Sequence, residues 1–364
     1  MFGLQAEWFY AFTILLHFLN TLLVRELFAA LRGSHRIGLL AAALFAVVQN
    51  PQEAIMWLAA MGDALAALCV LTALLLWLKN RFVSSALVYS AGLLSKESAV
   101  VLLLLVPLAE FCTCGKLRVR VEYVYLLVPT AAFGIVFLWT APHNYLLTAG
   151  SYAFGLQGLW VWAVSMHRLL FPWMYLAAGA LLVSRRLRVG ELVPALVWMT
   201  ITLLPYVFLT YQNHVPSRHQ YLASMGLAWG LALLASRWHP VGLRATFVAA
   251  FIATNVGYLW LVKDAQFERR AAPTTRLLES LGSRAPGRVR VVGFPLNPGM
   301  ATTATRLIPG WKPEMVLVNE PRESCPDCPE LRWEPVTSRY KTGRAVGVSA
   351  QEGPIPAAFQ PDSK

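Results

Sequence analysis

Two carboxylates, Glu53 and Asp63, stand inside the apolar stretch Leu44–Ala67 (LFAVVQNPQEAIMWLAAMGDALAA). A carboxylate at membrane depth costs about 2.5–3.5 kcal/mol on insertion scales, so each marks a candidate site. Cations come from other polar interruptions. Lys96 and Glu97 break the run Leu93–Leu108 (LLSKESAVVLLLLVPL), and Arg218, His219 and Tyr221 lie in Ser217–Ala228 (SRHQYLASMGLA). Such a set has a chemistry. An ionised carboxylate accepts a proton from an attacking hydroxyl, and Lys or Arg holds a phosphate. Each residue also has a plain reading. Glu53 sits solvated at the interface, Asp63 bonds a neighbouring span, Lys96 and Glu97 pair in a loop, and Arg218 anchors to headgroups. His17 and Asn20, one helical turn apart, read as a bond between helices.

The elements that would position these residues are membrane spans. Of 364 residues, 57% are apolar and only 14% are charged, against about 45–50% and about 25% in soluble domains. The net charge of +12 does not point to nucleic acid. Arg32 and Arg36, Lys79 and Arg81, Lys116 with Arg118 and Arg120, Arg185 with Arg186 and Arg188, and Arg237 with Arg244 all lie in short gaps between apolar runs. Those gaps alternate with gaps poor in Lys and Arg, which is the positive-inside pattern. The expected fold is an all-α polytopic membrane protein of about ten hydrophobic segments. These lie near 8–30, 37–49, 54–78, 82–94, 98–112, 123–140, 171–184, 191–210, 221–236 and 245–262. An outer loop with an interfacial helix, rich in Trp and cations, fills 142–168. The first run starts outside and ends at Arg32, so a further span is expected upstream of it.

Composition changes after Lys263. The expectation is a membrane domain over 1–262, a small outward-facing α/β domain over 263–345 and a disordered tail over 346–364. Pro273–Leu281 reads as a helix, and Arg288–Phe294 and Met315–Asn319 read as strands. Cys325 and Cys328, in an outer C-P-D-C, read as a local disulfide. Cys69 reads as inert packing. No metal ligand set is evident, although a divalent ion would suit the chemistry. Walker, dinucleotide and zinc-protease motifs are absent.

Four stretches in order, LLHFLNTLLV (15–24), LFAVVQNPQEAIMWLAAMGDALAAL (44–68), LLSKESAVVLLLLVPL (93–108) and SRHQYLASMGLA (217–228), resemble the GT-C membrane glycosyltransferases. The likeness is to the protein O-mannosyltransferase branch and the transmembrane mannosyltransferases that carry tetratricopeptide repeats, here without repeats. It covers about 1–230. In the family motif H-P-x-H-x-E-A-x-x-W, followed by an acidic residue, Glu53, Ala54, Trp57 and Asp63 match. Val48 and Pro51 replace the histidines, and Gln49 stands at the proline. The family K-E pair corresponds to Lys96 and Glu97. The R-Y-L-Y-L-P-S motif corresponds to Arg218 through Ser224, with His219 at the first Tyr and Ala223 at the Pro. The family's principal carboxylate lies in a first outer loop that would end where this chain begins.

The resemblance implies transfer of a sugar from a polyprenyl-phosphate carrier to a hydroxyl of a protein or glycan at the outer face, by inverting displacement at C1. Asp63 and Glu53 would be the acidic site residues. Lys96 and Arg218 would serve the phosphate, with Glu97, His219 and Tyr221 beside them. The expected location is a bacterial plasma (inner) membrane. Two other readings stay open. One is a non-catalytic GT-C-like scaffold that binds a lipid carrier. The other is a transporter, against which stands the lack of a matching second half.

Overall fold

The computed structural model describes residues 6–117, 120–148, 150–183, 188–210, 213–238 and 241–343. The expected tail 346–364 lies outside the described residues. The chain divides into two compact units, Met1–Gly257 and Tyr258–Lys364.

The first unit is helical. In order come α1 (Ala6–Arg32), α2 (His35–Phe45), α3 (Gln52–Met56), α4 (Met61–Leu78), α5 (Phe82–Ser95) and α6 (Leu102–Cys114). There follow α7 (Val124–Thr140), α8 (Tyr145–Thr148), α9 (Gln157–Leu170), α10 (Trp173–Val183), α11 (Val189–Leu203), α12 (Tyr221–Ser236) and α13 (Val241–Tyr258). Ala and Leu dominate these segments and favour helix. Their lipid-facing apolar side chains need no water, and their backbone bonds are satisfied internally. Among the described residues, six helical stretches are long and apolar enough to cross a membrane: Glu7–Arg32, Leu58–Leu78, Glu97–Cys114, Val121–His143, Val189–Tyr206 and Val241–Gly282. The chain is an integral membrane protein. Three shorter apolar helices, His35–Phe45, Phe82–Ser95 and Trp173–Leu182, accompany them. The ten expected segments thus resolve into six of spanning length and several that fall short of the roughly 20 residues of a simple crossing.

Helix α12 is the centre of this unit: every residue from Tyr221 to Ala235 is buried. It packs on α2, α10 and α11, while α1 packs on α2 and α4, and α4 on α5. Glycines allow close approaches between these helices, Gly38 and Gly226 among them. A Cβ on Gly38 would meet the Arg25 carbonyl oxygen of α1 at 2.3 Å, and one on Gly226 would meet the Trp198 side chain of α11 at 2.7 Å. Small residues at such contacts let backbones approach where lipid supplies no hydrophobic drive. By contrast, most of α7 is exposed and apolar, as with Leu138 and Trp139.

The second unit holds the helices α14 (Asp264–Gly282) and α15 (Pro298–Ala304) with strands β1 (Val289–Val292), β2 (Val316–Val318), β3 (Glu330–Glu334) and β4 (Arg339–Gly343). The sheet order is β2-β1-β3-β4. Strand β1 runs parallel to β2 and β3, and β4 closes antiparallel on β3. Val289, Val291, Val316, Val318 and Leu331 pack with Leu277 and Leu281 of α14. Cys325 and Cys328 form a disulfide. The expected helix at 273–281 begins nine residues earlier, at Asp264. It continues through Pro273, whose backbone carbonyl accepts from the Tyr340 hydroxyl at 3.1 Å.

Candidate functional site

Four helix interruptions meet at one point of the first unit. The run read as a single span over 54–78 is broken at Trp57, whose backbone is extended (φ −102°, ψ 107°). A short 3-10 turn, Leu58–Ala60, follows before α4 starts. Asp63 therefore falls in the first turn of α4, where the helix dipole favours a carboxylate. Lys96 is extended between α5 and the 3-10 turn Glu97–Val101. Tyr206 ends the 3-10 turn Leu204–Tyr206 that closes α11. Arg218 and His219 belong to the 3-10 turn Ser217–Gln220 that opens α12. Non-helical backbone at membrane depth persists only where protein buries it or a cavity lines it.

The side chains converge. Lys96 Nζ lies 2.5 Å from Asp63 Oδ2, and the two side chains are 15% and 4% exposed. Tyr206 donates its hydroxyl to Asp63 Oδ1 at 3.4 Å. The Tyr206 ring stacks on His219 at 4.2 Å between centroids and 13° between planes. His219 Nδ1 is 3.5 Å from Asp63 Oδ1 and 3.2 Å from Lys96 Nζ. Arg218 donates from Nε to His219 Nε2 at 3.1 Å. Its guanidinium lies 4.5 Å over the Trp57 ring, a cation–π contact worth about 0.5–1 kcal/mol at an exposed position. His219 lies in the polar gap outside the spans. Burial holds its imidazole below the ordinary value; the Asp63 hydrogen bond opposes that push and the Lys96 and Arg218 charges reinforce it.

Beneath this cluster Tyr221 is buried and ties α12 to α1. Its hydroxyl meets His17 Nδ1 at 2.8 Å and Asn20 Nδ2 at 3.2 Å. Asn20 also donates to the Ala64 carbonyl at 2.9 Å, and His17 Nε2 contacts the Ala46 carbonyl at 3.2 Å. His17 and Asn20 thus bond between helices as their spacing suggested. Glu97 stands exposed on the turn beside Lys96. Glu53 is half-buried on α3, which packs against the turn Ser217–Gln220. Its charge acts on His214: burial pushes that imidazole below its usual range, Arg168 adds to the push, and Glu53 opposes it. Of the residues expected at the site, Asp63, Lys96, Arg218 and His219 form one cluster. Glu97 and Glu53 border it, and Tyr221 supports it from below.

An apolar groove of about 360 Å³ opens beside the cluster, lined by Val100, Val101, Tyr152, Phe154, Leu204 and Pro205 among others. Val100 and Val101 continue the turn that carries Lys96 and Glu97, and Leu204 and Pro205 precede Tyr206. Tyr152 is held there by a bridge to Leu209.

Tyr206 and Trp57 are the contributors that sequence reasoning did not assign. Trp57 matches the H-P-x-H-x-E-A-x-x-W motif without a role being given to it, and Tyr206, one of 12 Tyr, carries no signal except nearness to a polar interruption. A second buried carboxylate also went unread. Glu110, 3% exposed, accepts from Trp77 Nε1 at 3.1 Å and the Tyr123 hydroxyl at 3.0 Å, and pairs with Arg120 at 3.3 Å. Trp77 lies about 21 Å along α4 from Asp63, so Glu110 belongs to the basic end of the bundle and not to this cluster. No group of three or more His, Cys, Asp or Glu side chains able to hold a metal is found among the described residues. No protein-family model, curated protein or solved structure matches the chain.

Proposed function

We propose that this protein is a GT-C-like glycosyltransferase that moves a sugar from a polyprenyl-phosphate carrier to a hydroxyl of a protein or glycan acceptor. The observation that carries this reading is one cluster, built from four separate segments, of two cations and a buried carboxylate beside an apolar groove. The groove suits the isoprenoid chain, and Lys96 and Arg218 suit the phosphate. A phosphate held there would gain charge as the C1–O bond breaks, where fixed cations act most strongly. Asp63 orients Lys96 and His219 from beneath. Glu53, at the border and more open, is the carboxylate that faces an acceptor.

Sidedness supports the same reading. By the positive-inside rule we assign the end bearing Lys79, Arg81 and Arg120 to the cytoplasm. Asp63 precedes Lys79 by sixteen residues, about 24 Å of helix, within a hydrocarbon core of about 30 Å. With Lys79 at the inner boundary, the cluster then lies near the outer boundary of that core, where the headgroup layer with its phosphates begins. The second unit would face outward, from a bacterial plasma membrane.

One observation favours the non-catalytic alternative, a lipid-carrier-binding scaffold. Asp63 is ion-paired and almost wholly covered, so it does not stand free as a base. Transfer from a panel of polyprenyl-phosphate hexoses by the full chain in proteoliposomes separates the two. Turnover by wild type, lost in Lys96→Gln and Arg218→Gln, is expected. Carrier binding without turnover would leave the scaffold. Neither binding nor turnover would remove both.

A further inference from the structure

His219 is caught between two donors. A neutral imidazole offers one donor and one acceptor. Arg218 Nε, a donor only, sits 3.1 Å from Nε2. Lys96 Nζ, also a donor only, sits 3.2 Å from Nδ1. If Nε2 accepts from Arg218, the ring proton is on Nδ1. It then points toward Asp63 Oδ1 at 3.5 Å, with the Lys96 ammonium crowding it. If Nδ1 accepts from Lys96, Nε2–H opposes Arg218 Nε–H. Neutral His219 satisfies one cation and not both. A doubly protonated ring satisfies neither, and so the Arg218 contact excludes it.

Arg218 is meanwhile under-used. Of five guanidinium N–H donors, only Nε is engaged: no hydrogen bond to Nη1 or Nη2 is found among the described residues, and the plane rests on Trp57. An oxyanion that takes Arg218 side-on, through Nε and Nη2, removes the donor from His219 Nε2. That nitrogen is then free to carry a proton and donate it to the same anion. The charges agree. Asp63, Lys96 and Arg218 sum to +1, which a phosphodiester monoanion neutralises. A phosphomonoester dianion leaves −1, and a proton on His219 restores balance. The other groups facing His219 do not change this sum on ligand binding: Tyr206 presents its ring face, and Glu97 and Glu53 border from the turn and from α3.

We infer that the site binds a phosphomonoester dianion together with one proton, taken up on His219 when Arg218 turns from the imidazole to the phosphate. The inference rests on the anion-holding part of the reading above and not on sugar transfer. Joined to transfer, it balances the step. The carrier C1–O bond breaks with its electron pair going to the phosphate, the acceptor oxygen bonds C1, and the hydroxyl proton is lost. The diester monoanion becomes a monoester dianion, and His219 gains the proton. Release of the spent carrier is then favoured by high pH.

The test is calorimetric titration of the full chain in lipid nanodiscs with farnesyl phosphate at pH 7.5. There the free probe is almost wholly a dianion, since such phosphates have a second pKa of about 6. Repeating the titration in buffers of different ionisation enthalpy gives the number of protons taken up. About one is expected for wild type and about none for His219→Gln, whose amide oxygen still accepts from Arg218. The affinity of wild type should also weaken several-fold, at most about tenfold, between pH 7.5 and 8.5, as one linked proton requires; this readout needs no variant. Binding with no proton uptake and a flat pH profile would overturn the inference, as would equal uptake by His219→Gln. Absence of farnesyl phosphate binding to wild type would overturn it together with the anion site. Proton-linked binding without sugar turnover would sink the transferase reading and leave this one standing.

Discussion

Replacing Asp63 by Asn leaves Lys96 without its counter-ion. Across 2.5 Å, at an effective dielectric of about 20, the gross attraction is about 6–7 kcal/mol. Much of that offsets the cost of taking both charges out of water. Breaking such a buried pair nonetheless costs about 3–5 kcal/mol, because the survivor stays desolvated and uncompensated. With about 2–4 °C of melting temperature per kcal/mol for a unit of this size, Asp63→Asn should lower the midpoint by on the order of 10 °C. Lys96→Met should do likewise. The double variant Asp63→Asn/Lys96→Met carries no charge at the pair and should recover most of the loss, a coupling that a double-mutant cycle isolates. The assay is thermal unfolding of the full chain in detergent, followed by tryptophan fluorescence. The recovered double variant should still fail to hold farnesyl phosphate, because the phosphate-side cation is gone. If the two single losses simply add, the ion pair is not what fixes the cluster, and Asp63 has no claim to position Lys96.

Trp57→Ala removes the ring under Arg218. It should weaken farnesyl phosphate binding by about two- to fivefold, the equivalent of about 0.5–1 kcal/mol, with unchanged thermal stability; microscale thermophoresis reads it. Glu110→Gln should lower stability by about 1–3 kcal/mol through imperfectly satisfied partners and leave probe binding untouched; a change in affinity would mean that the two ends of α4 are coupled. In the second unit, burial pushes the Glu330 carboxyl up, but hydrogen bonds from Arg290 and Arg332 outweigh it and hold the group below its ordinary range. A carboxylate depressed in the folded state contributes stability above its unfolded pKa and loses it as pH falls through the folded value. Hydrogen exchange of β1 and β3 should therefore quicken below about pH 4.5 and stay slow at pH 6. Equal protection at pH 3 and pH 6 would show that the Arg290–Glu330–Arg332 ladder adds nothing.

How much of this was legible follows from how each residue is surrounded. Asp63 and Lys96 stand out because a charge in an apolar run is costly and rarely accidental; Arg218 lies in the polar gap before α12 and stands out by the R-Y-L-Y-L-P-S motif it opens. Glu110 sits in the same kind of run, yet went unread because it lies at the end of a span beside a basic loop, where a carboxylate passes for interfacial. Tyr206 could not be distinguished, since tyrosine at a span end is the common interfacial case; its hydrogen bond to Asp63 and its stack on His219 set it apart. The break at Trp57 left no trace either. Glycine is absent from Pro51–Met61, and Pro51 lies six residues upstream, so the apolar pattern reads as continuous helix. In the second unit β1 and β2 are short Val-rich runs and declare themselves. Strands β3 (ELRWE) and β4 (RYKTG) are mostly polar on the face away from α14, so only the pairing of β3 with β1 and of β4 with β3 makes them strands.

The helix breaks join fold to site. An uninterrupted helix satisfies its own backbone, so a bilayer favours spans without gaps. Each interruption frees donors and acceptors that protein must then cover. Here the breaks at Trp57, Lys96, Tyr206 and Ser217–Gln220 lie together, and their side chains bond one another. Were the breaks only faults in packing, nothing would favour their meeting, and each could be covered where it arose. Meeting has one chemical product: two cations and a histidine held over a single carboxylate, with more donors than the protein's own acceptors satisfy. That surplus of donors is what a bound anion would consume. Straightening one break, for instance by Trp57→Ala with Leu58→Ala to favour continuous helix, should turn Asp63 away from Lys96. Phosphate binding should then fall more than in Trp57→Ala alone. Equal binding by the two variants would mean that the break does not position Asp63.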